Sequence, residues 1–273
     1  MKLATTNYYL NKYGNTDGAK KMAEHGYTSV DYSLMNTEEG LYALRDDRFV
    51  IEVTRLRREI EAGGIKVDTV HGPWRYPCDA TDSDRAERFE KMTKAMVIAR
   101  YLGAKYMVVH PLMPYGVNSP EAPDEVYAIN RQYFAALANV GKNLGITVCL
   151  ENMPFTDFPL STPERIAELV RDINSPYLKI CFDTGHANMF GTPIGESVRE
   201  LGELIAVVHA HDNFADDDTH NVPYNGTVDW MNFAEALFDI GFDGVISLEC
   251  KPETEDEAGE LSLAKTGRLI AGV

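Results

Sequence analysis

The chain is short of positive charge. Its 273 residues carry 26 Lys and Arg against 42 Asp and Glu, a net charge of −16. Non-specific nucleic-acid affinity comes from neutralising phosphates with Lys and Arg, so this balance argues against a nucleic-acid partner. No local basic patch stands out. Cysteine is scarce too: Cys78, Cys149, Cys181 and Cys250 lack C-x-x-C spacing, and a chain this long needs no disulfide staples. A reducing cytoplasm is the expected location. No apolar run is long enough to span a bilayer, so no membrane partner is expected. Residues Met1–Asn7 hold no apolar h-region, so no signal peptide is expected either. No Pro/Gly/Ser-rich linker divides the sequence, which predicts one domain over residues 1–273. No Gly-rich dinucleotide fingerprint follows the first apolar stretch, which counts against a nucleotide-binding open sheet.

What is present is a repeated order of short apolar stretch, polar loop and amphipathic stretch. Strands are predicted at Lys2–Tyr9, Tyr27–Leu34, Ile65–Val70, Tyr106–Val109, Ile146–Leu150, Tyr177–Phe182, Ile205–Val208 and Gly244–Leu248. Helices are predicted at Gly18–His25, Arg45–Ala62, Ser83–Leu102, Asp124–Leu144, from Thr162 onward, and at Asp229–Ile240 and Glu257–Leu269. Gly145 closes one of them, and Thr162 caps another with Pro163 in its first position. Short β-branched strands suit burial on both faces by parallel neighbours. Eight βα units predict an α/β protein with a single (β/α)8 TIM barrel, with an open doubly wound sheet as the rival.

Six consecutive strands end in residues able to bind a metal: His71, His110, Glu151, Asp183, His209 and Glu249. Each step between them is 26 to 41 residues, about one βα unit. A single strand-end His is more often a hydrogen-bonded core residue. Six in register is different, because buried carboxylates converging with histidines need a compensating cation. Asp183 opens Asp183-Thr184-Gly185-His186, which adds a nitrogen donor three residues on. Barrel enzymes keep their chemistry at this carboxyl end of the strands.

These residues resemble the xylose isomerase-like TIM barrels, which join sugar isomerases and epimerases with the apurinic-site endonucleases. The motifs are Thr69-Val70-His71-Gly72-Pro73, Val108-Val109-His110-Pro111, Leu150-Glu151-Asn152, the Asp183–His186 stretch, Val208-His209-Ala210-His211-Asp212-Asn213, Asp218-Thr219-His220 and Ser247-Leu248-Glu249. In the isomerase branch one divalent ion has four ligands, matched by Glu151, Asp183, His209 and Glu249. The resemblance implies that Glu151 and Glu249 also serve as an acid/base pair through an enediolate. In the endonuclease branch three zinc ions have nine ligands, and His71, His110, His186, Asp218 and His220 complete that set here. The implied cofactor is a divalent metal, Zn or Mn, as one to three ions. The implied substrate is a small carbohydrate: a sugar, a sugar phosphate or a sugar-derived keto acid. The alternative is a zinc-dependent phosphoesterase with a multinuclear site. The negative charge favours the isomerase branch, as does Asn221–Gly226, although Asn225 replaces the acidic residue usual in that turn.

Around this set, Asn152 and His211 are candidate contacts to substrate hydroxyls. Trp74 and Phe155 are candidate walls. Arg75 and Lys251 are candidate handles for an anionic group. Cys149 and Cys181 lie two residues before Glu151 and Asp183 and are predicted to fill the barrel interior. A homo-oligomer is left open.

Overall fold

A computed structural model describes residues 1–35, 40–44, 46–74, 79–117 and 122–272. Short strands apolar on both faces need a neighbour along each edge and cover above and below. The chain meets that need with β1 (Lys2–Thr5), β2 (Ser29–Ser33), β3 (Lys66–His71), β4 (Tyr106–Val109), β5 (Thr147–Glu151), β6 (Leu178–Asp183), β7 (Ile205–Ala210) and β8 (Val245–Leu248). They pair in parallel in sequence order, and β1 also pairs with β8. The sheet is a single closed (β/α)8 barrel, which excludes the open-sheet rival.

Helices α1 (Tyr8–Tyr13) and α2 (Asn15–His25) follow β1; α3 (Gly40–Ala43) and α4 (Asp46–Ala62) follow β2. Then come α5 (Asp82–Leu102), α6 (Pro123–Leu144) and α7 (Pro163–Ile173), one after each of β3 to β5. Helices α8 (Thr184–Asn188) and α9 (Ile194–Leu201) follow β6, α10 (Trp230–Asp239) follows β7, and α11 (Glu257–Ala271) follows β8. Gly145 closes α6 in the left-handed region, and Thr162 accepts from the Arg165 N–H ahead of Pro163, as the sequence predicts. Among the described residues, no helix is long and apolar enough to cross a membrane.

One predicted strand differs, and two helices after β6 are additional. β1 stops at Thr5, and the two tyrosines assigned to it begin α1. Tyr9 turns inward, where its hydroxyl meets Nδ1 of His25 at 2.8 Å and its ring packs edge-on against Tyr27. That buried contact outweighs the strand preference of the Tyr-Tyr pair. Helices α8 and α9 were not bounded from the sequence. The signal for α9 was Ile194, Val198 and Leu201, which form one buried stripe at helical spacing behind Pro193.

The barrel interior explains why six ligand candidates converge. Val108, Cys149, Cys181, Ala206 and Val207 form their own buried cluster. Side chains two apart on a strand share a face. His110, Glu151, Asp183 and His209 each stand two residues beyond a member of that cluster, so they open from the same interior at the carboxyl end. The two inner cysteines are core residues, as expected. Burial pushes both thiols above their ordinary range, which keeps them in the apolar, protonated form.

Candidate metal centre and active site

β5 and β6 end at Glu151 and Asp183, β7 carries His209, and Glu249 follows β8. Nδ1 of His209 lies 2.7 Å from Oε1 of Glu151 and 2.9 Å from Oε2 of Glu249. Its Nε2 lies 3.1 Å from Oδ2 of Asp31. An imidazole whose Nε2–H is given to a carboxylate presents Nδ1 as its donor atom. Ligand-capable atoms of Glu151, Asp183, His209 and Glu249 all fall within 4.8 Å of one another.

Two more groups adjoin this one. His71 and His110 share Glu151, and His186, His211, Asp218 and His220 form a group of four. The ring orientations suit cation binding. Nδ1 of His71, His186 and His220 faces a backbone carbonyl, of Gly72, Asn152 and Glu249, at 2.9, 2.7 and 2.6 Å. A carbonyl only accepts, so each Nδ1 carries the hydrogen and each Nε2 is turned inward. Nε2 of His71 and of His110 lie 3.6 and 2.9 Å from Oε2 of Glu151. That oxygen is buried yet makes no aligned hydrogen bond. Nε2 of His186 and of His220 each lie 3.3 Å from Oδ2 of Asp218. Nitrogen donors aimed at carboxylate oxygens, with an orphaned oxygen between two of them, fit a His/carboxylate-bound divalent ion.

Protonation follows the same geometry. Burial opposes charge on His186, but Asp183, Asp218 and Glu151 outweigh it and lift the ring to about 10. His220, against Asp218 and Glu249, rises to about 9 despite its burial. Burial also opposes the carboxylate of Glu151, yet His209 and His110 hold it well below the usual range. Glu249 is held low by His209 against the same penalty, and Asp218 by His186 and His220. His110 goes the other way: its desolvation exceeds the pull of Glu151, and the ring stays neutral.

Other predicted residues fall less uniformly. Trp74 stands edge-on to His110 at 5.2 Å between ring centroids, at the mouth. Lys251 is exposed and lines the same cavity as Glu249. Phe155 is half-buried against the main core. Arg75 lies outside the described residues. Two of the candidate contacts are buried and engaged within the protein. Asn152 is fully buried, and its amide donates to the Asp183 carbonyl at 3.0 Å and accepts from the Asp183 N–H at 2.8 Å. It thereby ties β5 to β6. His211 is fully buried, with Nε2 at 3.0 Å from Asp183 and its ring stacked 3.9 Å from that of His220.

Sequence reasoning missed Asp31, which is buried on β2 and orients His209. An acidic residue inside a short strand with Val30 and Tyr32 beside it was the available signal. It also missed Asp212, the hub of the loop that carries Asp218 and His220. Its two oxygens accept from the N–H groups of Asn213, Val228 and Tyr224 and from the Trp230 indole at 2.7 to 3.1 Å. The loop holds His220 and Tyr224 at φ 48° and 74°, a costly region for side chains with a Cβ. Asp212→Asn exchanges an acceptor oxygen for an NH2 group that faces N–H donors. We expect a loss of about 2–4 kcal/mol, from two or more broken buried bonds. Chemical denaturation of the purified variant measures it; a loss below about 0.5 kcal/mol would show that the loop has other anchors.

The family model for xylose isomerase-like TIM barrels matches residues 19–266. An uncharacterised protein of Methanocaldococcus jannaschii is 32% identical over 92% of this chain and 84% of its own length. A D-psicose 3-epimerase of Ruminiclostridium cellulolyticum is 27% identical over 41% of this chain and 37% of its own length. Among solved structures, a D-tagatose 3-epimerase-like protein superposes with a TM-score of 0.77 at 29% identity, over 100% of this chain and 99% of that one. IOLI protein with a bound zinc atom superposes at 0.78 and 20% identity, over 99% and 96%.

Proposed function

The chain belongs to the xylose isomerase-like TIM barrel family, and from that premise we propose that it is a divalent-metal-dependent isomerase or epimerase of a small ketose-like sugar. One observation carries the reading: Glu151 and Glu249 flank a single nitrogen of His209 at 2.7 and 2.9 Å, with Asp183 beside them. Two carboxylates on one small site supply a base to remove a proton and an acid to return one. Glu151 lies almost wholly buried on β5, whereas Glu249 keeps 23% of its side chain exposed towards the cavity. Epimerisation would use one of them on each face of one substrate carbon.

Glu151, Asp183, His209 and Glu249 would hold the ion, with Asp31 fixing His209 and Asn152 fixing the backbone of Asp183. A bound divalent ion, Zn or Mn by the donor set, supplies Lewis-acid stabilisation of charge at the substrate oxygens. The chain's own groups do the rest. Trp74 and the buried imidazoles limit water around the reacting carbon, and Glu249 reaches the cavity to exchange its proton.

Incubation with ketoses in D2O tests this. We expect deuterium to enter the substrate at the carbon bearing the transferred proton, and chelator to suppress it by about 100-fold or more. Absence of exchange with every ketose tried, in protein shown to contain metal, would sink the proposal.

A second reading, a metal-dependent phosphoesterase, draws on the two adjoining groups around His71 and His110 and around His186, Asp218 and His220. Elemental analysis separates the two readings. About one metal per chain fits the isomerase, whereas two or three zinc ions together with hydrolysis of a model phosphate ester fit the phosphoesterase.

A further inference from the structure

The turn after β4 is held from behind by a buried charge pair. Arg88 lies on α5 and Asp79 just ahead of that helix, and both are buried. Nη1 of Arg88 lies 2.6 Å from Oδ2 of Asp79. The pair is incompletely satisfied: Nε of Arg88 and Oδ1 of Asp79 are buried with no hydrogen-bond partner. A buried pair in that condition is a poor source of stability, because desolvation offsets most of the attraction between the charges.

Its remaining bonds show another use. Nη2 of Arg88 donates to the His110 carbonyl at 2.8 Å, and Oδ2 of Asp79 accepts from the Met113 N–H at 3.0 Å. Between these points Asn130 of α6, fully buried, accepts from the Leu112 N–H at 2.7 Å and donates to the Leu112 carbonyl at 3.0 Å. β4 ends at Val109, which is in register with Leu150 of β5. His110 is therefore the first residue past the strand, and buried side chains hold the turn that follows it.

The ring of His110 makes that hold necessary. Nδ1 of His71, His186 and His220 each faces a backbone carbonyl, and Nε2 of His209 faces Asp31. An anchor on the second nitrogen fixes the direction of an imidazole. His110 has none, for its Nδ1 is buried without a hydrogen-bond partner. Its Nε2 nevertheless stands 2.9 Å from Oε2 of Glu151. The rings of His71 and Trp74 pack edge-on against it, which limits its tilt without supplying a hydrogen bond. The backbone position of His110 then decides where Nε2 falls.

We infer that Arg88 and Asp79 are positioning residues: they fix the His110–Met113 turn and so aim Nε2 of His110 at Glu151, in place of the Nδ1 anchor this ring lacks. Their effect on turnover rests on the isomerase or epimerase reading, in which Glu151 moves a proton. Their effect on the His110 ring does not.

Arg88→Lys tests this, because an ammonium still meets Asp79 but lacks the planar fork that reaches the His110 carbonyl at the same time. In metal-free protein labelled with 15N at histidine, we expect the His110 ring signals, assigned with His110→Gln, to shift. Those of His71, His186 and His220, which keep their own anchors, should stay in place. In metal-loaded, full-length protein kcat for C–H exchange in D2O should fall by about 10–100-fold, with KM within about twofold. In a His110→Ala background the same change should lower kcat by less than about twofold, since no ring is left to aim. If Arg88→Lys does not fold, Asp79→Leu combined with Arg88→Met removes both charges together, releases the same turn and is read in the same way. Unmoved His110 signals, a shift of all four rings together, an unmoved kcat in a parent that exchanges, or an equal fall in the His110→Ala background overturns the inference and leaves the isomerase reading standing. Absence of exchange in the metal-replete parent overturns that reading, and the histidine signals then decide the positioning role alone.

Discussion

Glu151→Gln should lower turnover by about 10³–10⁴-fold, the largest effect of any single change in this site. The reason is its double use. Oε1 lies 2.7 Å from Nδ1 of His209, and Oε2 lies 2.9 Å from Nε2 of His110 with His71 behind it. Glu151 thus belongs to three of the four ligand-capable groups among the described residues. Glutamine keeps the shape but puts an NH2 donor against an imidazole nitrogen on one side and removes the charge on both. We expect the purified variant to lose at least one equivalent of bound metal along with its activity. The matched change Glu249→Gln should behave differently, because Glu249 is part-exposed and belongs to one group only. It should retain more metal while losing exchange at the carbon it serves. Circular dichroism and thermal unfolding establish that both variants are folded. If Glu151→Gln keeps turnover within tenfold of the parent, the acid/base pair is not the one assigned.

The same comparison marks what was legible in the sequence. The barrel was, because eight βα units repeat a short apolar stretch, six of them ending in a charged or imidazole side chain, and a chain with no linker has few ways to use eight of them. The ligand candidates were legible for the same reason: alternation carries a strand's inward face two residues further to its end. Asp31 was not. It sits inside β2, at a register shift between Val30 and Asp31 against β3, and its inward direction depends on that pairing. Nor was the role of Asp-Thr-Gly-His. Asp183 caps α8, accepting from the His186 N–H at 2.7 Å, so the Gly in this stretch is helical and does not end a strand in a turn. Gly185 is required by close approach: a Cβ there would lie 2.0 Å from the His211 ring. The loop from Asp212 to Trp230 was opaque because its order comes from four contacts to one carboxylate, which no local propensity encodes. The tie of Asn152 to the Asp183 backbone was not legible, because that partner is one strand away.

If a further cation binds at the His186–Asp218–His220 group, as the phosphoesterase reading requires, its uptake should release protons and its apparent affinity should rise steeply with pH. Both rings already give Nδ1–H to carbonyls, so the additional proton of each charged ring sits on Nε2, where a cation would bind. With His186 raised to about 10 and His220 to about 9, two protons are held at pH 7. Apparent affinity should then increase by about 100-fold per pH unit below pH 9, and by about tenfold between 9 and 10. The linkage runs the opposite way for the chain without metal. A histidine whose pKa is raised on folding contributes stability that is complete below its unfolded value, about 6.5, and is lost as pH climbs through the folded value. The chelated protein should therefore lose melting temperature from about pH 7 to pH 10, while the loaded protein holds or gains. Calorimetric titration with zinc or manganese in two buffers of different ionisation enthalpy counts the protons directly. A count near zero would mean that the ion does not displace these imidazole protons and that Asp218 and His220 serve only to orient their neighbours. A count near two that falls in a His220→Ala variant, with melting curves that diverge above pH 8, would place a cation on this third group and favour a multinuclear site.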